Sequence, residues 1–240
     1  MTMYRTFQFA AAVLLITTAS GARAQLHLKQ DKPPVEDLSW MWQYTQPDTV
    51  RSQENAFLGD SHLKPYLEKN LTAPQSFWDK NKTLSDVAME FLAVPGQVIG
   101  DDNRYFNADG CVPHFCPNRG LLWVDLGVAH PLIVFAAIDW ISDNKATDED
   151  GAAYTMWVFS NRSLSPAHIP AALTRSIARW TSHPSSGSTH LQNITRVFLV
   201  DPDGTPHPVS PNAVGAYNRL PAETTTEPDQ ALSAIPKAHP

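Results

Sequence analysis

The chain has 240 residues, of which 42% are hydrophobic, and it carries 24 acidic against 18 basic side chains. This length suffices for one large domain or a domain with appendages, and two cysteines are too few to staple it. The acidic balance excludes a general attraction to nucleic acid or anionic lipid and favours cationic partners.

The N-terminus has the pattern of a secretory signal peptide. Arg5 precedes an unbroken apolar run over residues 9–16, and a small-x-small cleavage pattern ends at Ala24. A run this short cannot cross a bilayer, which takes roughly 20 residues. We expect cleavage near Ala24 and a periplasmic or secreted protein without membrane insertion. Removal of residues 1–24 leaves 16 basic and 24 acidic side chains and a net charge of −8, although such acidity also serves solubility alone.

The next segment, residues 25–82, mixes tryptophans, prolines and charges without a clear period. Short helices are expected around residues 38–44 and 63–69. We expect its aromatic side chains to cover a flank of the core rather than bind a ligand, and the sequence assigns this segment no role.

A clearer helix is predicted from Thr83. Thr83 and Asp86 stand at the spacing of a capping box, and apolar residues recur after Thr83 at helical spacing. These apolar residues are Leu84, Val87, Ala88, Phe91 and Leu92. The Pro-Gly pair at residues 95–96 is expected to end the helix.

Strand-like runs rich in branched and aromatic residues follow, separated by Gly, Pro, Asn or Asp as antiparallel strands usually are. They cover residues 97–99, 104–107, 121–126, 132–140, 154–160 and 195–200. These runs predict an α+β fold, in which helices pack on an antiparallel sheet of about five strands and a disulfide-closed loop protrudes.

A second helix is predicted from Ser165, which can cap it, with Pro166 in its first turn. Its apolar stripe consists of Ile169, Leu173, Ile177 and Trp180. The helix is expected to stop before Pro184.

The C-terminal residues 205–240 hold 7 of the 20 prolines and almost no apolar clusters, which predicts a mobile, disordered tail. The chain therefore divides into a signal peptide, a segment of unassigned role, an α+β core and a tail. The four parts are residues 1–24, 25–82, 83–204 and 205–240.

The two cysteines lie in a connection between strand-like runs, residues 108–120, which places them at the surface. In an oxidising compartment Cys111 and Cys116 can pair across a tight loop. Such a small ring gains about 2 kcal/mol in the chain-entropy description. This is too little to hold the fold but enough to hold the loop.

Prolines stiffen the same loop further. Pro113 fixes its own φ and pushes Val112 to an extended conformation, while Pro117 restricts the exit. His114 is therefore expected at a pre-ordered tip, next to Phe115. A protonated imidazole donates through both nitrogens, and a nearby carboxylate favours that charged form, so His114 is suited to insertion into an acidic cleft.

Other interpretations of these residues remain open. The disulfide can simply brace a turn that carries an ordinary surface histidine. A metal site is disfavoured because disulfide cysteines cannot bind zinc, and redox chemistry is disfavoured because Cys-x-x-Cys is absent. An enzyme would use His114 or His130 with Asp125 or Asp139. No nucleophile elbow, metal motif or phosphate loop accompanies them, so we assign no catalytic residue, metal or cofactor.

The hexapeptide Cys-Val-Pro-His-Phe-Cys over residues 111–116, with the strand-like run 121–125 after it, resembles the signature of the Ivy family, the inhibitors of vertebrate (C-type) lysozyme. In that family a Cys-x-Pro-His-x-Cys loop protrudes from an antiparallel sheet backed by helices. Its histidine enters the lysozyme active site and meets the two catalytic carboxylates. Order and spacing are compatible with the family over roughly residues 83–204.

The resemblance implies that His114 is the plug, that Cys111 and Cys116 clamp the loop, and that Pro113 stiffens it. The partner would be a cationic, lysozyme-like muramidase; the sequence assigns no oligomeric state. The family loop commonly carries a lysine before the proline and an acidic or amide residue after the histidine, where this chain has Val and Phe. An alternative is therefore an envelope interaction module without inhibitory activity, in which Val112 and Phe115 form a small apolar knob.

Overall fold

The computed structural model describes residues 37–45, 52–141, 145–147 and 149–216. The predicted signal peptide lies outside the described residues, as does the part of the predicted tail after residue 216. Within these ranges no helix is both long and apolar enough to span a bilayer.

The described residues form one sheet of seven strands, arranged in chain order, at the centre of the fold. The strands are β1 Val94–Asp101, β2 Tyr105–Val112, β3 Phe115–Asp125, β4 Leu132–Trp140, β5 Ala153–Ser160, β6 Asn193–Val200 and β7 Pro206–Val209. Neighbouring strands are antiparallel except β5 and β6, which run parallel. The predicted α+β class with a mostly antiparallel sheet is confirmed, but the predicted number of about five strands is wrong.

In the described part of the chain, four α-helices and three 3-10 helices accompany the sheet. The α-helices are α1 Ser52–Leu58, α2 Leu63–Asn70, α3 Leu84–Phe91 and α4 Ala171–Thr181. The 3-10 helices are Ser39–Tyr44, Pro166–His168 and Pro211–Val214. The short helices expected around residues 38–44 and 63–69 are therefore confirmed.

Helix α3 starts as its capping pattern predicts. Thr83 Oγ1 accepts the Asp86 backbone N–H at 3.2 Å, and the Asp86 carboxylate accepts the Thr83 backbone N–H at 3.3 Å. Two otherwise unpaired backbone donors are thereby satisfied. The predicted apolar positions are all buried, and the helix ends at Phe91, before the Pro-Gly pair.

Helix α4 starts later than predicted. Ser165 precedes only the 3-10 helix Pro166–His168, and its hydroxyl lies 2.8 Å from His168 Nδ1 without capping the helix. Pro170 forces Ile169 into an extended conformation with ψ at 127°, so the α-helix begins at Ala171. The predicted stripe is confirmed from Leu173 onwards, where its members are buried.

The sheet is buried on both faces. On one face α1, α2 and α3 enclose a cluster that includes Phe57, Leu67 and Phe91. On the other face α4 covers a second cluster that includes Leu173 and Ile177. Alternating residues of β3 belong to opposite clusters, because successive side chains of a strand point to opposite faces. Thus residues 121–124 of β3 and 132–138 of β4 are continuous apolar runs rather than alternating ones.

The predicted tail is ordered at its beginning. Residues 206–209 form the edge strand β7, and Val214 in the following 3-10 helix is 1% exposed. The prediction of disorder is therefore wrong for residues 205–216. Pro206 and Pro208 weakened the strand signal, but an edge strand tolerates proline because fewer of its N–H groups are needed for pairing.

Candidate partner-binding hairpin and the neighbouring cleft

A tight hairpin between β2 and β3 carries the residues that the sequence singled out. The disulfide Cys111–Cys116 is present, with its Cα atoms 4.8 Å apart. Val112 pairs with Phe115, so only Pro113 and His114 form the turn. The predicted loop over residues 108–120 is thus mostly strand, and the exposed part of it is a short tip.

The strand β3 bulges directly below this tip. Cys111 pairs with Arg119, whereas the next residue, Val112, pairs with Phe115, so three residues of β3 have no counterpart in β2. Cys116 is the first of the three. The disulfide therefore joins β2 to the bulge, at the point where the regular ladder between the two strands is interrupted.

Side chains from elsewhere in the fold anchor the rest of the bulge. Asn118 Nδ2 donates to Asp139 Oδ1 at 2.9 Å, and Asn118 Oδ1 accepts the Trp140 backbone N–H at 3.0 Å. Gln192 Nε2 donates to the Pro117 carbonyl at 2.6 Å. The base of the tip is thus fixed by hydrogen bonds to β4 and to the segment before β6, in addition to the disulfide.

His114 adopts a conformation that is unusual for its residue type. Its φ is +62°, in the left-handed region, and the residue is exposed. Proline fixes a negative φ at the first turn position, so the positive φ falls on the second. That second position normally favours Gly or Asn. A histidine here costs backbone energy that a glycine would avoid.

The two apolar neighbours of the turn differ in exposure. Phe115 is 36% exposed, and its ring contacts the Trp140 ring edge-on with centroids 6.0 Å apart. Val112 is only 7% exposed and packs into the cluster under α3. The expectation that Val112 belongs to the exposed partner-binding loop is therefore wrong, because its strand position points into the core. The tip consists of Pro113, His114 and Phe115.

The histidine and aspartate residues proposed for an enzyme are not brought together. Within the described ranges, neither His114 nor His130 makes a hydrogen bond or ion pair with Asp125 or Asp139. Burial acts to raise the pKa of Asp125, but the hydrogen bonds from Arg104 at 2.8 Å and from the Gly127 backbone N–H, together with the nearby guanidinium charges, outweigh it and lower the pKa. Asp125 therefore forms an ion pair with Arg104 at the end of β3, far from the turn.

A cleft that the sequence did not predict lies on the α4 face of the sheet, beside β1, β2 and β3. Its volume is about 710 Å³, and Cys111 contributes to its wall. Asp109 and Arg119 line it from β2 and β3, and Arg179 lines it from α4. The only sequence signal was polar residues at alternating positions of β2, Asn107 and Asp109, within an otherwise apolar region.

Burial dominates the electrostatics of this cleft. It lowers the pKa of Arg119 to about 10, against the attraction of Asp109. It raises the pKa of Asp109, against the attraction of Arg119. The Arg119 guanidinium lies over the Trp180 ring at 5.1 Å and donates to the carbonyls of Trp180 and His183 at 3.1 and 2.9 Å. Its position is thus fixed.

Comparisons of the chain with protein-family models, with curated proteins and with solved structures find no match. None of them identifies the Ivy family, so that resemblance rests on the hairpin residues themselves. Within the described ranges, no three His, Cys, Asp or Glu residues are grouped as a metal site requires.

Proposed function

We propose that this chain is an exported binding protein that inhibits a lysozyme-like muramidase by inserting His114 into its acidic active-site cleft. The observation that carries the proposal is an exposed histidine with φ at +62° on a hairpin tip closed by a disulfide. The disulfide is compatible with an extracellular or periplasmic location, where such bonds persist.

Rigidity supports a role in binding. Freezing one mobile side chain at an interface costs about 0.5–1.5 kcal/mol, and a pre-ordered tip avoids much of that cost. The disulfide and the hydrogen bonds of Asn118 and Gln192 hold the base of the turn before any partner arrives. Backbone strain at an exposed residue is also a recognised mark of functional positions.

The chemistry of the tip matches the proposed target. Retaining glycosidases such as lysozyme place two carboxyl groups about 5–5.5 Å apart across the scissile bond. An imidazolium carries an N–H on each side of its ring, so the His114 ring can bridge two such groups and block the substrate. Cleavage after Ala24 would leave a net charge of −8, which would steer the exported chain towards a basic enzyme.

The test compares two exposed histidines. His114→Ala should weaken inhibition of a susceptible lysozyme by about 30-fold or more, since a central hot spot contributes ~2 kcal/mol. His130→Ala is the matched control, because His130 follows the opposite end of β3 and should leave inhibition unchanged. A panel of lysozymes assayed with and without reductant identifies the target and tests the disulfide.

Unchanged inhibition by a folded His114→Ala variant would contradict the proposal, as would a panel in which no lysozyme is inhibited by the wild type. In that case the exposed ring of Phe115 favours the second candidate, an envelope interaction module without inhibitory activity. Phe115→Ala should then abolish capture of the partner from envelope extract, and His114→Ala should not.

A further inference from the structure

The cleft beside α4 has the size of a small-molecule site. Binding sites for such ligands usually measure roughly 300–1,000 Å³, and this one measures about 710 Å³. Its lining is mixed: Leu121 and Trp180 provide apolar surface, whereas Asp109 and Arg119 provide charge. Its walls come from strands and a helix, which hold the side chains in place.

The charges around the cleft nearly cancel. Arg179 and Asp101 form a two-pronged ion pair, with Nη1 to Oδ1 at 3.1 Å and Nη2 to Oδ2 at 2.7 Å. Arg119 and Asp109 also line the cleft and attract each other, but they form no ion pair in the described part of the chain. An anionic ligand would meet the two carboxyl groups, and a cationic one would meet the two guanidinium groups. A neutral ligand avoids both penalties.

Hydrogen-bonding capacity remains unused at the same place. Among the described residues, only a long 3.4 Å bond, from the Gln97 backbone N–H, reaches the Asp109 carboxyl group. The Arg119 bonds use Nη1 and Nη2, so its Nε–H has no partner among the described residues. Unsatisfied groups of this kind are costly unless a ligand or water meets them.

We propose that this cleft binds a neutral mono- or disaccharide. Adjacent sugar hydroxyl groups can donate to Asp109 and accept from Arg119 at the same time, which bridges the gap between them. The apolar face of the sugar ring packs on the apolar part of the lining. This site is separate from the His114 tip and does not depend on the proposed inhibition.

The experiment is titration of the isotope-labelled full chain, followed by amide NMR signals. The probes are N,N′-diacetylchitobiose, cellobiose, glucuronate and glucosamine. At least one neutral disaccharide should shift the amides of Gly96, Gln97 and Gly110 with a Kd of about 1 mM or tighter. Glucuronate and glucosamine should bind at least about tenfold more weakly, because each adds an unbalanced charge.

Variants decide whether binding occurs in the cleft. Asp109→Ala should weaken binding about tenfold or more. If that variant fails to fold, Ser186→Trp tests the same point, because a large ring at this exposed lining position should block the cleft. Asp102→Asn, an exposed position outside the lining, is the charge-matched control. His114→Ala should retain sugar binding, which separates this site from the inhibitory tip. Failure of both neutral disaccharides to shift the cleft amides, or tighter binding of glucuronate, would overturn the proposal.

Discussion

At the scale of single residues, the conformation of His114 sets function against stability. A left-handed φ costs a non-glycine residue about 1–2 kcal/mol, and His114 adopts this conformation at the second position of its turn. Glycine would remove that cost but would also remove the imidazole. The residue that best suits the backbone is therefore not the residue that the proposed function needs.

This conflict can be measured with His114→Gly. The variant should be at least as stable as the wild type, with a free energy of unfolding up to about 1 kcal/mol higher, because relief of strain exceeds the entropy that glycine adds to the unfolded chain. It should nevertheless lose inhibition. Chemical denaturation and the inhibition assay on the same preparations provide the two values.

Asn103→Gly is the matched control for this variant. Asn103 also has a positive φ, +49°, but it lies in the turn between β1 and β2, away from the tip. The control should keep full inhibition. A His114→Gly variant that inhibits as well as the wild type would show that the strained residue serves the turn and not the partner.

The sequence predicted the tip more completely than it predicted the cleft. Cys111, Cys116 and Pro113 act on residues next to them in the chain, so local chemistry was sufficient. Val112 was misjudged because its side-chain direction depends on strand parity, which the bulge in β3 obscures. Asp109 and Arg119 face the same cleft because of the register between β2 and β3. Composition and spacing along the chain do not predict that register.

At the scale of elements, predictions succeeded where a local hydrogen bond defines the boundary. The capping box fixed the start of α3 correctly. The start of α4 was misplaced because Ser165 has the residue type of a cap, whereas Pro170 determines the backbone. The strand β7 was missed because its stability comes from pairing with β6, which is a tertiary contact and not a local preference.

The cap of α3 gives an element-scale prediction. Thr83→Ala should lower the free energy of unfolding by about 1 kcal/mol at neutral pH, the usual loss for a helix N-cap. Thr189→Ala, at an exposed loop position, is the matched control and should change it by less than about 0.5 kcal/mol. Urea denaturation of the two variants at several pH values provides the comparison.

The same variant should show a defined pH dependence. Hydrogen bonds from Lys64 and then Thr83 lower the pKa of Asp86 to about 2 from its ordinary 3.8. A lowered pKa contributes stability above the ordinary value, and that contribution is lost as the pH falls towards about 2. The difference between Thr83→Ala and the wild type should therefore shrink over this window. A constant difference would show that the Asp86 carboxylate takes no part.

At the scale of the whole molecule, one sheet links two hydrophobic clusters. Leu122 and Val124 of β3 belong to the cluster under α1, α2 and α3, whereas Leu121 and Trp123 belong to the cluster under α4. Because both clusters use side chains of the same strands, unfolding of those strands in one cluster would also expose the side chains of the other. The described N-terminal helices are part of this arrangement, because Met41 and Phe57 are fully buried in the first cluster.

Shared strands predict that the two clusters unfold together. Leu67→Ala in one cluster and Leu173→Ala in the other should each lower the free energy of unfolding by about 2–5 kcal/mol, because both side chains are completely buried. Each should shift a single transition whose midpoint is the same by tryptophan fluorescence and by far-UV circular dichroism. Val94→Ala, at an exposed position of β1, should have little effect. Separate midpoints for the two probes in either variant would mean that the faces of the sheet are independent units, and the shared strands β3 and β4 would not couple them.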